Sequence, residues 1–163
     1  MNLEKTMLLK KTMHSKQLNK TVVVVAGPTA AGKTAEAIRL AKSLNTEIIS
    51  ADSRQCFKEL EIGVARPTAQ ELAEVKHYFI ANHSIHENIT AGSFAREAKQ
   101  YLEEIFKTRD TAVICGGTGL YIKALVEGLD EIPIIPEEVR DNVIQLFETK
   151  GVDGLRNALL EKD

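Results

Sequence analysis

"VVVVAGPTAAGKTAEAIRLA", Val22 to Ala41, decides how the rest of the chain is read. Thr21–Ala26 is a β-branched run suited to a strand buried on both faces. Gly27-Pro28-Thr29-Ala30-Ala31-Gly32-Lys33-Thr34 then fits G-x-x-x-x-G-K-[ST]. Apolar Ala37, Ile38, Leu40, Ala41 and Leu44 follow at helical spacing, with an end expected near Asn45. Strand, glycine loop and helix in this order make a phosphate cradle. Gly27 and Gly32 are expected to let the backbone curl so that amide N–H groups face an anion, and the helix N-terminus adds its dipole. Lys33 offers a point charge to the terminal phosphate oxygens, and the Thr34 hydroxyl can ligate Mg²⁺. Such a loop holds a phosphate without saying whose.

Working outward, 163 residues at 44% hydrophobic can bury one core. No apolar run approaches the roughly 18 residues of a spanning helix, so no membrane partner is expected. Cys56 and Cys115 lie far apart with no paired spacing, which fits a reduced, cytoplasmic protein. Charge is uneven. Five lysines against Glu4 give residues 1–20 a charge of +4, so with −2 overall the remainder carries −6. So acidic a body is a poor general nucleic-acid surface, and any RNA binding must rest on local contacts. The basic start lacks an apolar h-region and arginine, and is expected to be a flexible, solvated leader.

Further strands are expected at Thr46–Asp52, His77–Ala81 and Thr111–Gly117, making four in all. Between them, residues 53–67 read as a loop. Thr68–His77 reads as a short helix with Thr68 and Glu71 spaced as a capping box, and Phe94–Phe106 as an amphipathic helix capped by Ser93. Another helix begins near Thr118 and stops near Gly128. Alternating strands and helices imply parallel βαβ units, hence an α/β fold with a P-loop NTPase-like three-layer parallel sheet. Past Pro133 the pattern changes to two helical segments, one with Pro136 in its first turn and one capped by Asp153. The expected division is a leader at 1–20, a P-loop core at 21–130, incomplete with only four strands, and a helical insertion beginning near residue 131.

Asp52, in "SADSRQ", closes the second strand at the carboxyl edge, where parallel sheets hold ligands. It either faces the loop's ligand or caps a turn. A nucleotide-hydrolysing P-loop protein would also end an apolar strand in an acid that holds the metal shell. Here "TAVIC" runs into Gly116-Gly117-Thr118, with no carboxylate, and no arginine-rich lid is apparent. ATP hydrolysis is therefore poorly supported, leaving a small-molecule P-loop kinase as a weaker reading. His77, His83 and His86 lack metal-site spacing and read as surface or packing residues. Cys115 reads as core.

Together "GPTAAGKT", "SADSRQ", "IGVARPT" and "GGTGLYIKALVEGL" resemble the bacterial tRNA dimethylallyltransferase family, over about residues 21–163. The resemblance implies transfer of a dimethylallyl group from dimethylallyl diphosphate to N6 of adenosine-37, in tRNAs reading codons that begin with U. It implies that Gly27–Thr34 cradles the diphosphate, that Thr29 lies by the prenyl donor's reacting end, and that Mg²⁺ sits on Thr34. It implies Asp52 as general base, Asp52, Ser53, Arg54 and Gln55 as the segment meeting the target nucleotide, and Thr118 and Arg140 as tRNA contacts. The partners it implies are the tRNA anticodon stem-loop and dimethylallyl diphosphate, and a monomer is expected. Members of the family run on well beyond this length, so the chain is expected to be an N-terminal fragment that modifies tRNA poorly alone. Transfer to free AMP or ADP would suit the same cradle, and a non-catalytic truncated remnant would bind diphosphate without turnover.

Overall fold

The computed structural model describes residues 7–13, 20–130 and 135–162. In chain order the elements are β1 (Met7–Met13), β2 (Lys20–Ala26), α1 (Lys33–Ser43), β3 (Ile48–Ser50), α2 (Ala69–Glu74), β4 (His77–Tyr78), α3 (Ala91–Phe106), β5 (Thr111–Gly116), α4 (Gly119–Val126) and α5 (Glu137–Leu160). They divide into two units, Met1–Leu129 and Asp130–Asp163. The sheet order is β1-β2-β5-β3-β4. The four strands expected from the sequence are all present and mutually parallel. To them β1 adds an antiparallel edge, running from Met7 opposite Ala26 to Met13 opposite Lys20. Residues 7–13 belong to the lysine-rich stretch read as a leader. Residues 1–6 and 14–19 of that stretch lie outside the described residues.

Strand alternation explains the three layers. Val22 and Val24 of β2, Ile49 of β3, and Ala112 and Ile114 of β5 join one buried cluster with Phe94, Ala98, Leu102 and Ile105 of α3 and Tyr121 and Leu125 of α4. Their immediate neighbours Val23, Val25, Ile48 and Val113 join a second cluster with Ala37, Ile38 and Ala41 of α1. Successive side chains of a strand point to opposite faces, so α1 covers one face and α3 with α4 the other. Aromatic packing secures the second face: Phe94 stacks on Tyr121 at 4.4 Å between ring centroids, with Phe79 edge-on to Phe94 at 4.9 Å.

Local chemistry sets the element ends, and several differ from expectation, β3 among them: it stops at Ser50, so Asp52 lies two residues beyond the strand rather than closing it. Thr68 and Glu71 do form the expected capping box at the start of α2. On α3, however, Thr90 is the N-cap and Ser93 is its third residue, so the helix begins at Ala91 rather than Phe94. Both residue types suit a cap, and the reciprocal pair lets Thr90 Oγ1 accept from Ser93 N–H while Ser93 Oγ accepts from Thr90 N–H. The expected strand His77–Ala81 pairs only at His77 and Tyr78, because Phe79 and Ala81 turn into the left-handed region at φ 62° and 48°. In the second unit, the two expected helical segments appear as α5 broken at Gly151, two residues before Asp153, with Pro136 at the N-cap.

Candidate functional site at the carboxyl edge of the sheet

Residues 27–32 leave β2 and turn into α1. Of the two glycines expected to turn the loop only Gly32 does so, at φ 78°, and its left-handed companion is Ala30 at φ 64°. A left-handed alanine is strained by roughly 1–2 kcal/mol, a cost that tends to gather at ligand-holding loops. The Gly27 carbonyl oxygen lies 3.4 Å from where a Cβ on Gly117 would stand, an ordinary contact, so the loop's turn rests on Ala30 and Gly32. Lys33 opens α1, and its Nζ donates to the Pro28 carbonyl at 2.6 Å, so the ammonium spans the loop. Thr34 follows it, and its hydroxyl makes no hydrogen bond among the described residues.

β5 lies between β2 and β3, and its end joins loop and carboxylate. At Gly116 a Cβ would stand 2.1 Å from the carbonyl oxygen of Ala51, so only glycine fits. An acid at that strand end is therefore sterically barred. Ala51 N–H donates to the Cys115 carbonyl at 2.8 Å, and Thr118 N–H donates to the Ala51 carbonyl at 3.1 Å. Thr118 is the N-cap of α4, yet its hydroxyl makes no cap bond. It accepts instead from Ser53 N–H at 3.0 Å. Thr118 thus grips both neighbours of Asp52.

Asp52 caps a turn, one of its two readings, and also lines the cavity beside the loop. Its Oδ1 accepts from Arg54 N–H at 2.9 Å and Gln55 N–H at 3.3 Å, capping the turn, while Oδ2 makes no hydrogen bond among the described residues. Gln55 ties the turn to its surroundings, accepting from Ser50 Oγ at 2.9 Å and donating to the Ala65 carbonyl at 2.6 Å.

Loop and carboxylate open on one cavity of about 340 Å³, whose walls include Thr29, Ala30, Gly32, Lys33, Thr34, Asp52 and Gln55. Gly27, Pro28, Ala31, Ser53, Arg54 and Thr118 support those walls without lining them. Arg140 lies exposed on α5, in the other unit. Sequence reading missed Ser50, Glu71, His77 and Cys115, which also line the cavity. Ser50 and Cys115 sit at carboxyl ends of parallel strands, a position that could have flagged them. Burial pushes the Cys115 thiol up to about 11. Burial likewise lowers the affinity of His77 for a proton, against the pull of the Val75 carbonyl beside its Nδ1. The Thr68 backbone N–H and hydroxyl hold the Glu71 carboxyl below its ordinary range, so it is anionic.

The donors around the loop suit a hard cation held largely by its ligand's phosphates. No cluster of three His, Cys, Asp or Glu that could hold a metal occurs among the described residues. Mg²⁺ needs none, because it takes one or two protein oxygens and completes its shell with water and phosphate. The free Thr34 hydroxyl fits that demand.

Fold and site define a P-loop protein of the α/β class, with an anion cradle and a carboxylate facing one cavity. Comparison with known proteins narrows this. The family model described as IPP transferase matches residues 55–163. A tRNA dimethylallyltransferase of Cytophaga hutchinsonii is 50% identical over 146 residues, which are 90% of this chain and 48% of that protein. The Flavobacterium johnsoniae tRNA dimethylallyltransferase is 44% identical over 144 residues, 88% of this chain and 47% of that one. Among solved structures, the full-length tRNA isopentenylpyrophosphate transferase of Bacillus halodurans superposes with a TM-score of 0.65 at 34% identity, over 87% of this chain and 47% of its own. The chain belongs to the IPP transferase family, which displaces the small-molecule kinase reading. It spans about half the length of the curated relatives it matches.

Proposed function

We propose that this chain is the donor-holding part of a tRNA dimethylallyltransferase, which moves a dimethylallyl group from dimethylallyl diphosphate to N6 of adenosine-37 in tRNAs reading codons that begin with U. The observation that carries this reading is the shared cavity: an anion cradle and the unpaired Oδ2 of Asp52 face it, and no acid can stand at Gly116, the last residue of β5. A phosphate held there is a leaving group, not a target for water.

The amides of residues 27–34 and the Lys33 ammonium stabilise the charge that grows on phosphate oxygens as the allylic C–O bond breaks. Mg²⁺ held on Thr34 would add to that neutralisation. Thr29 lies by the prenyl end. The adenine N6 lone pair is delocalised into its ring, so its proton becomes acidic only as the C–N bond forms. A carboxylate within hydrogen-bond reach then accepts it late, and Asp52 Oδ2 is that acceptor. The target base leaves its stack to reach the donor, as base-modifying enzymes require. Ser53, Arg54, Gln55, Thr118 and Arg140 contact the tRNA in this scheme. Residues 21–130 serve as core, with Met7–Met13 of the lysine-rich stretch added to its sheet rather than left as a free leader, and 131–163 begin the tRNA-gripping insertion. The protein works as a cytoplasmic monomer.

Calorimetric titration tests the donor half directly. The chain should bind dimethylallyl diphosphate with Mg²⁺ and lose that binding in Lys33→Ala, and should hydrolyse no ATP. Failure to bind the donor, or donor-independent ATP turnover, would sink the proposal.

A further inference from the structure

Outside the cavity, one side chain is placed in a way that only one protonation state can satisfy. His83 Nδ1 lies 2.7 Å from a Glu87 carboxylate oxygen, and its Nε2 lies 2.9 Å from one of Glu97. A neutral imidazole carries a single N–H and can donate to one carboxylate. The imidazolium donates to both. The ring is largely shielded, with 14% of its side chain exposed, against 23% for Glu97 and 49% for Glu87.

The backbone of His83 is tied to the turn that carries Asp52. His83 N–H donates to the Cys56 carbonyl at 2.9 Å, and its carbonyl accepts from Lys58 N–H at 2.8 Å. Two residues earlier, Ala81 N–H donates to the Gln55 carbonyl at 2.9 Å. Residues 81–83 therefore run beside 55–58, and Asp52 caps Gln55 at the head of that ribbon. Glu97 is on α3, whose inner face packs on the sheet, so the ring joins the ribbon to a helix anchored in the core.

We propose that His83 is a positioning residue: as an imidazolium clamped between Glu87 and Glu97, it fastens residues 81–83 to α3 and thereby holds the 55–58 segment that seats Asp52. The word positioning rests on the role proposed above for Asp52; the clamp itself does not.

The surrounding charges favour the clamp. Burial opposes charging the ring, but hydrogen bonds and charge from Glu87 and Glu97 outweigh it and hold His83 above its ordinary range. Glu97 also accepts from the Asn82 amide and the Tyr101 hydroxyl, and Glu87 accepts from Ser84 N–H. Glu59 holds Ser84 and Ile85, Lys58 adds positive charge near Glu87, and the Cys56 thiol lies near Glu97. A histidine whose folded pKa is raised stabilises the fold fully below its unfolded pKa, and that contribution fades as pH rises through the folded value.

Amide hydrogen exchange by NMR tests this in the chain as it stands, without donor or tRNA. After correction for intrinsic exchange, protection of Ala81, His83 and Lys58 should fall about fivefold as His83 deprotonates, the scale of one partly exposed ion pair. Gln55, capped by Asp52, should follow, while Val113 N–H, bonded to the Glu47 carbonyl, stays constant. In His83→Gln the pH step should vanish. In Glu87→Gln, a change at the exposed rim, its midpoint should move to lower pH. A wild-type profile without the step, a step retained in His83→Gln, or one shared equally by Val113 would overturn the proposal. Donor titration scores the proposed function separately, so either can fail alone.

Discussion

The carbonyl oxygen of Ala51 occupies the space beside Gly116 where any other residue would carry its Cβ, 2.1 Å from that position. No rotamer relieves the clash, because the backbone fixes the position of a Cβ and its partner is a backbone oxygen. Gly116→Ala should therefore push Ala51 and Asp52 away from β5 and destabilise the fold by roughly 1–3 kcal/mol, the scale of overpacking. Thermal unfolding measures the loss. Gly117→Ala, with its nearest contact at 3.4 Å on Gly27, should cost far less stability and instead weaken diphosphate binding.

The two oxygens of Asp52 let its turn cap be tested apart from its proposed role as base. Asp52→Asn keeps an oxygen for Arg54 and Gln55 N–H, so its melting temperature should stay near that of the wild type. Asp52→Ala loses the cap and about 1 kcal/mol. Both should abolish dimethylallyl transfer to tRNA, assayed in a chain of the relatives' full length carrying this segment. Transfer surviving in Asp52→Asn would remove Asp52 as the base.

Thr118→Val removes the hydroxyl that accepts Ser53 N–H while keeping the side chain's shape. The donor left without its partner should cost about 1–3 kcal/mol if it stays dry. Thr118→Ser should restore most of that. Chemical denaturation of the pair measures the loss and its recovery, and because the hydroxyl makes no cap bond the difference reports the Ser53 contact.

The cysteines supply a prediction in pH. Burial pushes the thiols of Cys56 and Cys115 up to about 11, so near pH 8 very little thiolate is present in the folded chain. Alkylation by iodoacetamide should run about 100-fold slower than in urea, since the thiolate is the nucleophile. It should accelerate only as pH climbs towards that value. Rapid labelling of Cys115 at pH 8 would contradict its placement.

Much of the fold and site is legible in the sequence because the deciding signals are local. The valine run, the loop and the apolar spacing of α1 define the β2–α1 unit, and Thr68 with Glu71 marks the start of α2. What escapes depends on contacts between distant residues or on competing local choices. Thr90 and Ser93 can each cap a helix, and only their reciprocal bonds decide between them. Phe79 and Ala81 carry no sign of a left-handed backbone, which follows from the aromatic cluster and the pairing of 81–83 with 55–58. Likewise Gly116-Gly117 reads as a missing acid until the sheet order brings Ala51 against it. Ser50 and Cys115 join the cavity only because β5 lies between β2 and β3.

That interposed strand also acts as a gauge. β2 and β3 never pair with each other, so the strands that lead into the loop and into Asp52 stand two strand spacings apart, about 10 Å at the usual pitch. The pitch is set by backbone hydrogen bonds and does not respond to side-chain identity. Substitutions in α1, α3 or α4 can loosen the fold without changing that separation. Under the proposed function, the length of molecule that fits between leaving group and proton acceptor is thus written into the spacing of a β-sheet.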